Sequence, residues 1–511
     1  MESANETFSA LLRPLGNGME AFLSSRSLLT YGIVVLVFAI IFRRSLNKTN
    51  CVDMDGMPMK EMNVSPKAAT LFIPEISKKG EKLAHDEPYV IRDGNYHEVV
   101  LHTAEHVREF LRNDSKDHFR PENMGFGDYF YRVLGQCVGA TSGEQWRVIR
   151  SYFDPAYTHG ASLTLLSPFQ KEVSKWLNGL KNDPLRTGVG RVVVHMPTSC
   201  KALTLRTIPL SFYGDAYDDD AYMKLDRISK LQAQALKYAV TGRWQKYKWF
   251  NVLPTPSRRH LDLYHQNWHA FNLEILENTR KMNITIPAEH AFKGVQENNA
   301  MSMDQARTHL NYLQTIDEML FTNIEVTGSI LTYTLVQLAK EQDYQQRLYE
   351  EVMAHKGEDN IRDYVTQQTT LLHYLTLESV RLRPATWFSA PDCITIDKVI
   401  GRYKIPAKTP VVIDVRRLNT NALTWGPDGA KFRPERFASL SPNEYRYGFM
   451  RFGVVSSKCL GKHMADLLMK VIIITILEQY KIEEVEMNIG VRDGDLALVK
   501  RNKETKSSLK G

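Results

Sequence analysis

The sequence predicts a mainly α-helical chain with a small β-rich part and one N-terminal transmembrane helix. Three observations carry this. Residues 27–42 are uncharged and dominated by aliphatic and aromatic side chains; two short stretches have strand composition around glycine turns; and helical patterns fill most of the rest. With 511 residues, 43% of them apolar and 24% charged, the chain has material for a large core.

Taken in order, residues 1–26 form a polar N-terminal segment. The stretch Ser27 to Phe42 is 16 residues long. At about 1.5 Å per residue it reaches roughly 24 Å, short of a hydrocarbon core of about 27 Å in the endoplasmic reticulum. Snorkelling by Arg26 and Arg43 covers the difference. A cleaved signal peptide is the competing reading, but the stretch starts late and runs into Arg43-Arg44 with no small-residue cleavage site, which favours a retained anchor. Arg43, Arg44 and Lys48 outweigh Arg13 and Arg26, so the C-terminal side is expected in the cytoplasm of a single-pass endoplasmic reticulum protein. Residues 1–26 are then lumenal, and the sequon Asn5-Glu6-Thr7 lies where glycosylation occurs.

Residues 43–65 read as a polar linker, 66–500 as the folded domain and 501–511 as a disordered, basic tail. Within the domain, Tyr89-Val90-Ile91 and Val99-Val100-Leu101 flank Asp93-Gly94-Asn95 and predict a hairpin. A second strand pair is expected over Val399 to Val412, with Gly401 at its turn and Pro406 confining one strand to an edge. The apolar run Val471 to Leu477 is preceded on its helix by Asp466 and Lys470, which make it a buried core helix and not a second membrane span.

Four motifs carry chemistry. In Gly143 to Arg150, Trp146 and Arg150 stand four apart on one helix face, and indole N–H and guanidinium are both pure donors. A long helical pattern from Thr315 to Glu341 holds Phe321-Thr322-Asn323-Ile324-Glu325-Val326-Thr327-Gly328. Glu378 and Arg381, three apart, share a helix face and can pair. Cys459 ends the loop that starts at Phe452-Gly453, and Gly461 and an apolar helix follow it. A metal-binding thiolate needs such a loop, glycines that let the backbone approach a flat group, and a helix N-terminus facing the sulfur. A small buried hydrophobe is the plainer reading of a lone cysteine, and the other motifs weigh against it.

Together these resemble the signatures of the cytochrome P450 superfamily, of a fungal, membrane-anchored, secondary-metabolite type. The resemblance rests on the frame of Cys459, Gly461 and Ala465 with Phe452 upstream, on Glu378-Ser379-Val380-Arg381, on Phe432-Arg433-Pro434-Glu435-Arg436-Phe437, and on Trp146 with Arg150. It implies the cytochrome P450 fold over most of residues 66–500, with Cys459 as axial thiolate of haem b and Phe452, Gly453 and Gly461 beside it. It also implies Trp146 and Arg150 on the haem propionates, and Arg436 as third member of a network with Glu378 and Arg381. Register places Glu325 and Thr327 as the acid and hydroxyl that manage protons over the haem. The implied partners are a small-molecule substrate and a separate flavoprotein reductase that passes electrons from NADPH, since this chain carries no Gly-x-Gly-x-x-Gly of its own.

The pattern departs from the family at Thr322 and Asn323, where small residues are usual, at Val326, which replaces a threonine, and at Val455 and Ser457 in the cysteine loop. Valine moves no proton, and Ser457 stands where a propionate donor is usual; Lys458 or Lys462 is the expected substitute donor. The run Asn323 to Thr327 also looks like a variant of enzymes in cyclic-dipeptide toxin pathways.

Five cysteines without Cys-x-x-Cys spacing argue against a disulfide framework or zinc cluster. The net charge of +7 is modest, and with no basic run read as interleaved with aromatics, nucleic acid is excluded as a partner. Basic residues gather at Arg433, Arg436, Arg446, Arg451, Lys458, Lys462 and Lys470; a solvated face is one reading and a docking face for an acidic electron donor the other. Phe119, Phe126, Tyr129, Phe130, Tyr238 and Trp244 are candidates for an apolar pocket, or core by default. The expected activity is insertion of one oxygen atom from O2 into a small apolar or cyclic organic substrate. A haem-thiolate isomerase, dehydratase or coupling enzyme, and a non-catalytic haem-binding protein, are the alternatives.

Overall fold

Strand and helix boundaries in the computed structural model follow local signals in the sequence. The model describes residues 51–501 apart from 68, 113–117, 181–186, 189, 299–308, 454–457 and 487–490, together with Ile33 and Val35. The strands used below are β1 (Glu61–Asn63), β2 (Tyr89–Asp93), β3 (Tyr96–Leu101), β4 (Thr187–Gly188), β5 (Arg191–His195), β6 (Asp392–Cys393), β7 (Lys398–Ile400), β8 (Tyr403–Ile405), β9 (Pro410–Ile413), β10 (Tyr480–Glu484) and β11 (Asp495–Lys500). The helices are α1 (Gly143–Phe153), α2 (Met196–Thr207), α3 (Asp219–Thr241), α4 (Pro256–Met282), α5 (Leu310–Asp317), α6 (Asn323–Lys340), α7 (Leu371–Leu382) and α8 (Lys462–Leu477).

Side-chain caps set three of these helices. Asp218 accepts from Ala221 N–H at 2.9 Å ahead of α3, Thr255 from Arg258 N–H at 3.2 Å ahead of α4, and Thr370 from His373 N–H at 3.1 Å ahead of α7. Pro256 opens α4, and Asn283 in the left-handed conformation closes it.

The chain divides into two units, Met1–Pro58 and Met59–Gly511. In the first, Val52 bridges Pro58 around a turn held by Asp53, whose carboxylate accepts from the N–H groups of Asp55 and Met57. Of residues 27–42 only Ile33 and Val35 are described, and both are helical and exposed. Among the described residues no helix is long and apolar enough to cross a membrane. The rest of the expected anchor, Asn5, Val455, Ser457 and residues 502–511 lie outside the described residues.

In the second unit β2 and β3 form the expected hairpin, pairing Asp93 with Tyr96 across Gly94, whose φ is +63°. The other expected strand pair is divided between two sheets. β7 and β8 make a hairpin around Gly401, whereas β9 runs parallel to β3, with Val411 opposite Val99, and belongs to a five-stranded sheet of order β1-β2-β3-β9-β6. A four-stranded sheet has the order β10-β11-β5-β4. The rest is mainly helical.

Helix α8 lies in the core. Its Lys470 is 2% exposed, pairs with Asp466 at 3.0 Å and donates to the Val365 carbonyl at 2.7 Å, so a charge inside an apolar helix is fully partnered. Helices α2 and α6 approach closely because Gly328 has no side chain; a Cβ there would meet Lys201 Cγ and N at 3.3 Å.

Candidate active site

The loop before α8 is shaped by two residues in the left-handed region, Phe452 at φ +61° and Gly453 at φ +77°. Glycine adopts this freely; Phe452 is held there by the loop, whose Cys459 N–H donates to the Phe452 carbonyl at 2.8 Å. Gly461 caps α8, so the sulfur faces a helix N-terminus. Burial pushes the Cys459 thiol up and Glu318 adds to the push, while the Gly461 N–H, Arg150 and Lys462 pull it down without prevailing. A metal cation at the sulfur would reverse this balance, because coordination deprotonates a thiol outright.

Cys459 opens onto a cavity of about 420 Å3. Phe452, Gly453, Gly461, Trp146, Arg150 and Thr327 line the same cavity. Its apolar walls come from Ile330 on α6, Val380 on α7, Val411 and Ile413 on β9, and Leu468 on α8. Besides Trp146 and Arg150, the donor side chains of Arg120, Arg451 and Lys458 face it, whereas Lys462 does not line it. Arg150 binds Asp154 at 2.5 Å and the Lys458 carbonyl at 2.9 Å, and its guanidinium lies 5.6 Å from the Trp146 ring. The buried Nε of Arg451 has no hydrogen-bond partner among the described residues.

These residues fit a haem. The cavity offers one thiol, apolar walls and guanidinium and indole donors for anionic edges, one of them a buried nitrogen with no partner among the described residues. Beside Gly461 an added Cβ would meet only Met464 Cε, at 3.7 Å, so the backbone leaves open space at this wall.

Helix α6 is preceded by a π-helical turn over Glu318–Thr322. The face turned to the cavity carries Glu318, Met319, Thr322, Asn323, Val326 and Thr327. Glu325 is not on it. Its carboxylate is 65% exposed and pairs with Lys201 at 2.7 Å, so the expectation of an acid over the cavity is corrected: at about 100° per residue, position 325 turns away when 322, 323, 326 and 327 face inward. Thr327 is buried, and its hydroxyl has no hydrogen-bond partner among the described residues.

The charge network forms as expected. Arg381 Nε and Nη2 each donate to Glu378 at 2.7 Å, Arg436 Nε donates to Glu378 at 3.2 Å, and the three side chains are at most 1% exposed. Their remaining donors reach carbonyls of Asn419, Trp425 and Lys431, which pins the segment leading to the cysteine loop.

Three other expectations are corrected. Arg436, Arg451 and Lys470 leave the expected basic face, since Arg436 and Lys470 are buried in ion pairs and Arg451 turns inward to Asp466; Arg433, Arg446 and Lys458 remain exposed. None of Phe119, Phe126, Tyr129, Phe130, Tyr238 and Trp244 lines the cavity; Phe110, Tyr157 and Phe212 do instead. Trp244 is exposed and packs with Tyr247 and Trp249, which alternate with Arg243, Lys246 and Lys248, so a basic run interleaved with aromatics does exist.

Sequence reasoning missed Arg120, Glu318, Asp392 and Arg451 as cavity residues. Arg120 pairs with Asp392 at 2.8 Å across 272 residues, a relation with no local signal. Glu318 could have been found, because it stands one helical turn before Thr322.

Residues 81–507 match the family model described as Cytochrome P450. The chain is 40% identical over 410 residues to cytochrome P450 monooxygenase lepD of Aspergillus flavus, covering 80% of this chain and 79% of that one. It is 33% identical to cytochrome P450 monooxygenase opdB of Penicillium oxalicum, covering 83% and 84%, and 31% identical to cytochrome P450 monooxygenase apdB of Emericella nidulans, covering 89% and 91%.

Proposed function

Because the chain belongs to the cytochrome P450 family, we propose that this monooxygenase inserts one oxygen atom from O2 into a small apolar or cyclic organic substrate of fungal secondary metabolism. The observation that carries the reading is the placement of Cys459 on one wall of an apolar cavity, with Trp146, Arg150 and Arg451 turned toward the same space. When bound, haem supplies the oxygen chemistry, and a thiolate ligand favours O–O cleavage.

The residues divide the remaining work. Cys459 holds the iron, and Trp146 and Arg150 orient the propionates. Thr327 hands protons into the cavity from its hydroxyl. Glu325, paired with Lys201 on the outer face of α6, takes no part in this. The walls exclude bulk water. Electrons come from NADPH through a separate flavoprotein reductase that docks on Arg433, Arg446 and Lys458, and high salt weakens that docking.

Residues 27–42 anchor the protein in the endoplasmic reticulum membrane with the catalytic domain in the cytoplasm. The exposed Trp244, Tyr247 and Trp249, with Arg243 ahead of them and Lys248 between them, support a membrane-facing surface. A cyclic dipeptide is one substrate of the proposed class. The second reading, an isomerase, dehydratase or coupling reaction, is favoured by one observation: Val326, which moves no proton, lines the cavity where the family's hydroxyl stands.

The test is a carbon monoxide difference spectrum of reduced protein, wild type against Cys459→Ser. The thiolate signature is expected in the first and absent in the second; haem that keeps its signature in the variant rejects the assignment. Product formation that needs neither NADPH nor O2 establishes the isomerase or dehydratase form of the second reading instead.

A further inference from the structure

Glu318 is the one carboxyl on the cavity face of the π-turn ahead of α6, and its side chain is half-buried there. The backbone is shaped to hold it. Gly139 N–H donates to Glu318 Oε2 at 3.0 Å, and a Cβ on Gly139 would stand 1.9 Å from Oε1, so only glycine leaves room for the carboxyl. The Gly139 carbonyl in turn accepts from Arg120 Nε at 3.2 Å, and Arg120 Nη1 is fixed by the Pro391 carbonyl at 2.9 Å and Asp392 at 2.8 Å. Arg120 Nη2 has no partner among the described residues. Glu318, Arg120 and Asp392 thus make a braced polar patch in an otherwise mainly apolar chamber, and the proton work assigned to Thr327 does not use it.

We infer that Glu318, with the Arg120 guanidinium on the same cavity, is a substrate-orienting site that takes the carbonyl oxygen of a neutral molecule whose body is otherwise apolar, such as a ketone, ester or cyclic amide. This rests on the monooxygenase reading and narrows its substrate class. The electrostatics favour an acid that donates. Burial pushes the Glu318 carboxyl up, and the Gly139 N–H, the Cys137 thiol, Arg120 and Arg150 pull it down without prevailing. Asp317 and Cys459 are the further titratable groups coupled to it, and Glu318 disfavours charge on both. A carbonyl oxygen has two lone pairs, enough for one O–H and one N–H donor. A cationic substrate would meet two arginines.

The probes are N-phenylpyrrolidinone and cyclopentylbenzene, a lactam and a hydrocarbon of similar shape, titrated into the haem-loaded protein and followed by the Soret shift. Wild type is expected to prefer the lactam by about tenfold, the ratio one good hydrogen bond supplies. Glu318→Leu should remove the preference, and Glu318→Gln, which keeps an N–H donor, should retain most of it. An unchanged ratio in Glu318→Leu overturns the inference, as does a loss of haem in Glu318→Gln, which would place the carboxyl on the cofactor instead. Should Glu318→Leu fail to fold, infrared difference spectra decide: the protonated-carboxyl band absent from Glu318→Gln must shift with the lactam and stay fixed with the hydrocarbon. A normal carbon monoxide spectrum throughout keeps the haem-thiolate reading intact whichever way the ratio falls.

Discussion

Arg381 closes two nitrogens of its fork on the two oxygens of Glu378, both at 2.7 Å, and neither side chain reaches solvent. A buried pair with both ends satisfied is tolerated, whereas half of one is not. Arg381→Leu leaves Glu378 dependent on Arg436 and the Arg433 N–H alone. The expected loss is about 3–5 kcal/mol of stability. Thermal unfolding and the yield of haem-loaded protein measure it, and a shift of less than about 1 kcal/mol would show that the network is not structural.

Asp466 makes a pH prediction at acid. Although burial acts to raise it, Arg451 and Lys470 hold its carboxyl down at about 2, against an ordinary value of 3.8. A lowered carboxyl stabilises the fold above its unfolded value, and that contribution disappears as pH falls toward the folded one. Wild type should exceed Asp466→Asn by about 2 kcal/mol near neutrality, and the gap should close between about pH 4 and pH 2 in denaturant titrations.

Asp317 makes the opposite prediction. Burial pushes it up to about 8, with Glu318 adding to the push while hydrogen bonds from Tyr264 and Gln232 pull it down. Its raised value means that stability is greatest with the carboxyl protonated and falls as pH rises from the unfolded value of 3.8 to about 8. Asp317→Asn keeps the acceptor and loses the charge. Relative to wild type it should gain on the order of a few kcal/mol over that range, and equal slopes in the two proteins would contradict this.

Thr327→Val removes a hydroxyl that has no other partner among the described residues. The fold should be unaffected, and the peroxide released per NADPH consumed should rise severalfold while product falls. Unchanged coupling would remove Thr327 from the proton path.

Arg150→Ala should weaken haem retention by roughly tenfold or more, the worth of a charge-assisted hydrogen bond. Asp154→Ala should leave retention nearly unchanged, because Asp154 is half exposed and does not line the cavity. Apomyoglobin competition reads both. Equal losses would mean that Arg150 acts only as a strut for its own helix.

Legibility in the sequence followed the range of the forces involved. The β2–β3 hairpin, the core helix α8 and the donor pair Trp146 and Arg150 depend on neighbours within a turn or two, and periodicity revealed them. The pairing of Arg120 with Asp392 depends on chain tracing alone, and nothing near either residue announces it. Glu325 illustrates a different loss: its register was readable, but the face it occupies is decided by how α2 and α6 pack, and Lys201 holds it outward. Arg436 and Lys470 were misplaced on the basic face for a related reason, since a basic residue in a run looks the same whether it meets water or, like these two, an interior carboxylate.

The π-turn over Glu318–Thr322 carries one residue more than a regular helix would need there. Because the wider turn takes up that residue locally, deleting a single codon within it would restore even winding and leave α5 and α6 facing as they do now. The chain can therefore lose or gain a residue here at little cost to the rest of the core, and only the side chains of the turn itself would be re-aimed.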